Sequence, residues 1–313
     1  MARRKYNFFG FGNWPLANVG RWPLNSARRF SAAMLAVSCV LSAVEAIGAA
    51  PEKPKAVTSR AARDEAARSI PFDLLTPEAQ AKAAKVIKNT SLFRRLPVEK
   101  FDCAPEMYQF AVHNPDVVVN IWEVMGISQM SLERAEGNRY KVVDGEGTKG
   151  HLEYLFKSPE LTIIYSEGTY DGRLYPRTVR GACVMVLRSS YQREPTGRCI
   201  ITSRLDTFLS VENLGVEILA KTFQPIIGNA ADHNFAESGI FISKLSRTAE
   251  TNEDGVIRLT KKLDRISPET KAGFSRVVSH VAANVAFNEP DEPDSDTRLV
   301  RGPTEVPQRS PQR

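Results

Sequence analysis

Residues 216–247 read VEILAKTFQPIIGNAADHNFAESGIFISKLSR and carry apolar side chains at helical spacing. Pro225 lacks an N–H and crowds the preceding turn, so we expect a kink near residues 220–221. The stretch predicts one long helix, which needs a wide surface to pack against. Its apolar stripe consists of Val216, Leu219, Ala220, Phe223, Ile226, Ile227 and Ala230, and continues through Ala231, Phe235, Ile242 and Leu245.

The region before this helix, residues 128–213, changes to a period of two, which is typical of β-strands. Gly, Pro and Asp punctuate it, and such short connections favour an antiparallel meander over parallel crossovers. The sequence therefore predicts an α+β fold in which an antiparallel sheet is followed by the long C-terminal helix. The predicted strands are Met130–Ala135, Arg139–Asp144, Leu152–Lys157 with Leu161–Ser166, Thr178–Arg188 and Arg198–Val211.

Further elements precede this sheet. Thr76-Pro77-Glu78 supplies an N-cap with Pro at the first helical position, which predicts a short helix ending near Lys88. A strand is expected within residues 93–103. The helix that follows, residues 104–126, is divided in two by Asn114-Pro115-Asp116.

Two segments follow the long helix. Residues 268–286 have a helical pattern and predict an additional flanking helix. Residues 287–313 lack the apolar side chains that a folded core needs, and we predict that they are disordered.

Residues 1–50 have the organisation of an export signal. Arg28-Arg29 precedes the apolar run Phe30–Val44, and Gly48-Ala49-Ala50 supplies small residues that suit signal peptidase. The run is about 15 residues long, whereas a transmembrane helix needs about 20, so we expect cleavage rather than a signal anchor. The n-region is unusually extended. The prediction is a periplasmic or secreted protein.

The charge balance argues against a polyanionic partner. The whole chain has a formal net charge of +6. Residues 1–50 contain six basic residues but only one acidic residue, Glu45, so the remaining chain has a net charge of about +1. A nearly neutral chain offers no electrostatic footprint for nucleic acid, and we expect no nucleic-acid binding.

The cysteines after residue 50 are Cys103, Cys183 and Cys199. An odd number at wide spacing is not a disulfide framework. Cys183 and Cys199 fall on neighbouring predicted strands, so they form either a disulfide in an oxidising compartment or free core thiols.

The chain lacks the common signatures of catalysis and cofactor binding. There is no phosphate-binding loop, dinucleotide fingerprint or G-x-S-x-G motif, and the four histidines have no metal-ligand spacing. We therefore expect no metal, no cofactor and no catalytic residue. His151, which shares a strand face with Glu153, and His233, which follows Asp232, are the two histidines that could serve a pocket.

The order of strand, broken helix pair, antiparallel strands and long helix resembles the helix-grip fold of START-like and polyketide-cyclase-like proteins, the SRPBCC superfamily. The resemblance spans about residues 93–247 and includes the run from Cys199 to Ala230-Ala231-Asp232-His233-Asn234-Phe235. It implies a curved antiparallel sheet that grips the long C-terminal helix, with extra flanking helices. It also implies a cavity between sheet and helix that binds an apolar or amphipathic ligand. The implied lining residues are Leu219, Phe223, Ile227, Phe235 and His233 on the helix, and Tyr154, Phe156, Ile163, Tyr165 and Met185 on the strands.

These patterns divide the chain into five parts. They are a cleaved signal peptide (1–50), a linker with a short helix (51–91), a helix-grip START-like domain (92–250), an additional helix (251–286) and a disordered tail (287–313).

The main functional hypothesis is an exported, non-catalytic binding protein for a lipid-like molecule. A solid core in place of the cavity is the alternative at the level of structure. The functional alternatives are a protein–protein interaction domain of the cell envelope, with the helices at 76–88 and 268–286 offering an apolar face, and a cyclase or hydrolase. The enzyme would need His151, His233 or a Glu to point into the pocket.

Overall fold

The computed structural model describes residues 55–172, 175–212 and 228–288. The leader and most of the tail predicted above lie outside these residues, as do Leu219, Phe223 and Ile227 of the predicted lining. The described helices are α1 (Arg60–Arg68), α2 (Pro77–Lys88), α3 (Pro105–His113), α4 (Pro115–Val124), α5 (Asn229–Thr251), α6 (Glu253–Lys261) and α7 (Pro268–Asn288), with a short 3-10 helix at Phe72–Leu74. The described strands are β1 (Leu92–Arg95), β2 (Glu99–Asp102), β3 (Ser131–Arg134), β4 (Arg139–Val143), β5 (Thr148–Lys157), β6 (Leu161–Tyr170), β7 (Val179–Arg193) and β8 (Cys199–Val211).

The eight strands form a curved antiparallel sheet in the order β1-β8-β7-β6-β5-β4-β3, with β2 also paired to β8. Neighbours in the chain from β3 to β8 are neighbours in the sheet, so the predicted antiparallel meander is confirmed. Helices cover both faces. We call the face toward α3, α4 and α5 the inner face, and the face toward α1 and α2 the outer face.

The outer face is packed solid. Ala66 and Ile70 near α1 and Ala83 and Val86 of α2 are buried against it. The sheet residues of this cluster are fully or almost fully buried, and the rings of Phe93 and Phe208 pack at a tilt of 53° with centroids 5.1 Å apart. They are Phe93, Ile163, Val184, Val186 and Phe208.

The N-terminal part of the domain is more ordered than the sequence predicts. Residues 60–68, expected in a linker, form α1, because Ser59 caps its first turn and Ala66 is only 1% exposed against the outer face. The single strand expected within residues 93–103 is divided into β1 and β2 at Pro97, which has no N–H to donate to the sheet.

The long helix differs from its prediction at its start. The described helix α5 begins at Asn229, and Gly228 before it has φ −99° and ψ −120°, outside the helical region. The prediction of one continuous helix over 216–247 is therefore wrong at Gly228, and residues 213–227 lie outside the described part. The helix continues to Thr251. It packs against β2, α3 and α7, on the inner side of the sheet.

The C-terminal helices close the inner side of the domain. Asn252 caps α6 by accepting a hydrogen bond from the Gly255 N–H, a start that the sequence analysis missed. Helix α7 confirms the predicted additional helix, extends to Asn288, and buries Phe274, Val278 and Val281. None of the helices within the described residues is long and apolar enough to cross a membrane.

All three described cysteines are free thiols. Cys183 lies opposite Leu209, and Cys199 is about ten residues earlier on the same strand. At about 3.3 Å per residue this separates the two cysteines by roughly 30 Å, so the alternative of a Cys183–Cys199 disulfide is excluded.

Candidate functional site

A cavity of about 640 Å³ lies between the inner face of the sheet and helices α3, α4 and α5. Its helical wall includes Val118, Val119 and Trp122 of α4, and Ser238 and Ile242 of α5. Most of the strand residues of the wall are apolar. They include Leu132, Val142, Leu152, Tyr154, Ile164, Cys183, Met185, Leu187, Leu209 and Val211.

The helical wall is fixed by packing outside the cavity. Pro115 starts α4 after the break at Asn114, and Asp116, only 1% exposed, accepts two hydrogen bonds from the Arg134 guanidinium of β3. Trp122 meets Phe241 of α5 edge-on, with ring centroids 5.6 Å apart. These contacts hold α4 and α5 at the distance from the sheet that leaves the cavity open.

One end of the strand wall is a row of glycines on three neighbouring strands. Gly150 lies opposite Gly168, and Gly168 lies opposite Gly181. All three line the cavity. A Cβ on Gly168 would stand 2.4 Å from the Lys149 carbonyl oxygen, so the strands approach more closely here than any side chain allows. Because the row contributes no side chains, the cavity extends to this end of the sheet.

Two of the predicted strand residues lie in the cavity wall, Tyr154 and Met185. The Tyr154 hydroxyl donates to the Val112 carbonyl oxygen at 2.5 Å, and the Lys157 ammonium lies 4.0 Å from the ring centroid. Burial raises the pKa of Tyr154. The residue therefore offers the cavity an aromatic ring, while its hydroxyl ties β5 to α3.

The other three predicted strand residues, Phe156, Ile163 and Tyr165, pack in the outer-face cluster, so their placement in the lining is wrong. On β6 the inward residue is Ile164, since Ile164 is the partner of both Tyr154 and Met185. On β5 the register shifts between Tyr154 and Phe156, and this β-bulge turns Phe156 to the outer face.

The two predicted helix residues within the described part, Phe235 and His233, lie outside the cavity wall. Phe235 is half-buried one turn before Ser238 on the same face of α5, but the cavity wall does not include it. His233 is exposed and lies about 140° around the helix from Ser238, away from the cavity. Its prediction as a ligand contact therefore has no support in the described geometry.

Polar side chains gather at the glycine end of the cavity. Thr148, Ser166 and Tyr170 line it there. His151 of β5 lies opposite Glu167 of β6, and both side chains point to the outer face, where Glu167 accepts a hydrogen bond from Tyr165. Both His151 and Glu167 are exposed. The pairing of His151 with Glu153 that the sequence suggested is replaced, because the Lys82 ammonium of α2 donates to Glu153 at 2.8 Å.

Among the side chains in the cavity wall, the Cys183 thiol is the strongest candidate for a nucleophile. Burial raises its pKa to about 12, so it is a neutral thiol at physiological pH. Among the described residues no group of three or more His, Cys, Asp or Glu side chains could hold a metal ion.

The helices that could have offered an apolar face to a partner bury that face inside the domain. Ala79, Ala83 and Val86 of α2 pack on the outer face, and Phe274 and Val278 of α7 pack in the core beside α3 and α5. Phe110 of α3 stacks on Phe274, with ring centroids 5.4 Å apart.

Comparison with known proteins yields structural likeness only. No protein-family model matches the chain, and no curated protein matches it. Similar solved structures include an uncharacterised protein from Rhizobium leguminosarum (18% identity; 49% of this chain and 93% of that chain covered; TM-score 0.30). Others are truncated norcoclaurine synthase from Thalictrum flavum (13%; 49% and 92%; 0.33) and the di-domain ARO/CYC BexL from the BE-7585A biosynthetic pathway (14%; 70% and 58%; 0.25). The helix-grip architecture follows from the strand order and from the helices on the inner face.

Proposed function

We propose that this chain is a non-catalytic binding protein for an apolar or amphipathic small molecule, held in the cavity between the inner face and helices α3, α4 and α5. The observation that carries the proposal is the cavity itself, about 640 Å³ with an almost wholly apolar wall. Ligand pockets in proteins measure about 300–1,000 Å³ and are predominantly apolar.

The energetics favour an occupant over an empty space. Side chains such as Ile164, Met185 and Leu209 border open volume instead of neighbouring side chains. Burying one Leu-sized group of a ligand against such a wall contributes roughly 1.5–3 kcal/mol. Water gains little there because a buried water needs two to four polar partners.

The distribution of polar groups favours a ligand with one polar end. Thr148, Ser166 and Tyr170 line the glycine end. The opposite part of the wall, beside Val118 and Ile242, is apolar. We infer that an amphipathic ligand lies with its polar group over the glycine end of β5 and β6, on the inner face, and with its apolar part along α4 and α5.

The absence of catalysis is part of the proposal. A reaction would need an acid, base or nucleophile within reach of the ligand. The Cys183 thiol is neutral at physiological pH. His151 and His233 are exposed.

Membership of the START-like, polyketide-cyclase-like group and export by the N-terminal signal are also proposals. The first is supported by the described architecture, in which a sheet encloses α5, and the second by the sequence of residues 1–50 alone. An exported carrier would meet its ligand in the periplasm or outside the cell.

The test combines mass spectrometry with a matched pair of variants. Native mass spectra and solvent extracts of the purified chain should reveal a bound apolar molecule. The fluorescent fatty acid cis-parinaric acid then serves as the probe for titration. Ser166→Phe places a ring in the cavity and should weaken binding at least about tenfold, since the ring occupies the ligand's volume.

Tyr165→Phe is the control, because Tyr165 is the next residue on β6 and packs on the outer face. Its hydroxyl donates to Glu167 at the surface, so the control should bind cis-parinaric acid as the parent chain does. Equal binding by Ser166→Phe and the parent chain, or no binding by either, would refute the proposed site.

A further inference from the structure

Cys103 and Cys199 are directly opposed across two neighbouring strands. The register of β2 with β8 pairs Asp102 with Ile200, and the next pair in that register is Cys103 with Cys199. The Cys103 N–H donates to the Cys199 carbonyl oxygen at 3.0 Å, so the ladder continues through this pair. Hydrogen-bonded antiparallel partners have Cα atoms about 5.5 Å apart, which lies within the range that a disulfide spans.

The two side chains also lie on the same side of the sheet. Directly opposite residues of an antiparallel pair point to the same face. Both cysteines belong to the buried cluster on the inner side, and the Cys103 thiol contacts the Ile242 carbonyl oxygen of α5. Register, backbone contact and shared burial thus place the two thiols for bonding to each other.

We propose that Cys103 and Cys199 form a cross-strand disulfide when the chain folds in the presence of a thiol–disulfide oxidant. The thiolate of one cysteine attacks the oxidant's disulfide and releases one thiol. The second cysteine then attacks the mixed disulfide and releases the other. Two thiol hydrogens leave with the two released thiols, and one S–S bond replaces another.

The bond forms during folding and not afterwards. In the folded chain Cys103 is 1% exposed and Cys199 is 9% exposed, so an oxidant in solution does not reach them. Burial also raises the pKa of Cys103 to about 12, which removes the reactive thiolate. The folded reduced protein is therefore expected to resist oxidation, whereas a chain that folds with the oxidant acquires the bond.

The test is refolding of the full chain with reduced and oxidised glutathione, followed by alkylation and non-reducing peptide mapping. We expect a Cys103–Cys199 cross-linked peptide, with Cys183 alkylated. The fourth cysteine, Cys39, is distinguished by its own peptide. Because the bond closes a loop of roughly 100 residues, a chain refolded under reducing conditions should have a thermal midpoint about 10 °C below that of the chain refolded with the oxidant.

Cys103→Ala and Cys199→Ala should each remove the cross-linked peptide and the difference in midpoint between chains refolded with and without the oxidant. Cys183→Ala is the matched control and should retain both. If either cysteine variant fails to fold, the map of the parent chain decides. A map in which Cys103 and Cys199 are both alkylated, or in which either is linked to Cys183, would overturn the proposal.

Discussion

Both faces of the sheet carry apolar side chains, but the outer face is packed closely by helices whereas the inner face borders a cavity. On the outer face, α1 and α2 pack directly on Phe93, Val184 and Phe208, which are 5% exposed or less. On the inner face, α4 packs on β3 and α5 on β2, and between these contacts the two helices leave a cavity of about 640 Å³. The same strands build both faces, so the difference comes from the helices and from the glycine row at one end of the inner face.

This difference separates stability from binding within one sheet. Close packing gains dispersion contacts that an open cavity forgoes, so the outer face supplies more stabilisation for each apolar side chain. The inner face keeps its apolar surface available to a ligand. Substitutions on the two faces should therefore have different consequences.

The stability of the outer face depends on Asp206, which is 0% exposed. Its carboxylate accepts hydrogen bonds from Arg95 at 2.6 and 3.2 Å, and lies 3.9 Å from both Arg188 and Arg204. Asp206→Asn leaves these guanidinium groups without their shared countercharge, and we expect a loss of about 3–5 kcal/mol in the free energy of unfolding measured in urea.

The control for this change is Glu194→Gln, on the exposed connection between β7 and β8. It should shift the free energy of unfolding by no more than about 0.5 kcal/mol. Unchanged stability of Asp206→Asn would show that the buried charges of the outer face do not help to hold α1 and β1 on the sheet.

The contrast between the faces is sharpest at Phe208 and Leu209, neighbours on β8 that point in opposite directions. Phe208 is fully buried in the outer cluster, and Leu209 borders the cavity. Phe208→Ala should cost about 3–5 kcal/mol in the free energy of unfolding, and Leu209→Ala about 2 kcal/mol less, because Leu209 has fewer packing partners to lose. Equal losses in urea titrations would mean that the inner face is as tightly packed as the outer one.

The smallest expected effect lies within the inner face, in the glycine row. A Cβ on Gly168 would meet backbone at 2.4 and 2.9 Å, whereas a Cβ on Gly181 would meet nothing closer than 3.1 Å. Gly168→Ala should therefore lower the free energy of unfolding by about 1–3 kcal/mol, and Gly181→Ala by less than about 1 kcal/mol. Thermal melts of the two variants would check this order, and the reverse order would contradict the close approach of β5 and β6.

Much of this fold is predictable from the sequence because strand periodicity and turn residues act locally. The strands from β3 to β8, the break at Asn114-Pro115 and the last helix follow from such patterns. Gly228 and Pro97 also act locally, and their effects were missed because a glycine or proline inside an apolar run admits several outcomes. The packing of α1 on the outer face depends on contacts that are distant in sequence.

The cavity residues were harder to predict for a different reason. Alternation separates a strand into two sets of residues without saying which set faces inward. The bulge at Leu155 then exchanges the sets within β5, so that Tyr154 and Phe156 face opposite sides despite their spacing of two. Of the predicted strand lining only Tyr154 and Met185 lie in the wall, and Ile164 was missed in favour of its neighbours. The alignment of Gly150, Gly168 and Gly181 was visible only once the register was known.

Gly181 also gives the cavity an adjustable depth. The other two glycines of the row are fixed by backbone clashes. Position 181 faces the cavity, and the tightest contact of a Cβ there is 3.1 Å to the Ser210 carbonyl oxygen, which a shift of a few tenths of an ångström relieves. Side chains of increasing length at this position would shorten the cavity in steps of about one carbon, with only this small adjustment between β7 and β8. Position 181 therefore acts as a ruler, and the longest hydrocarbon chain accommodated by the protein should decrease with each methylene added there.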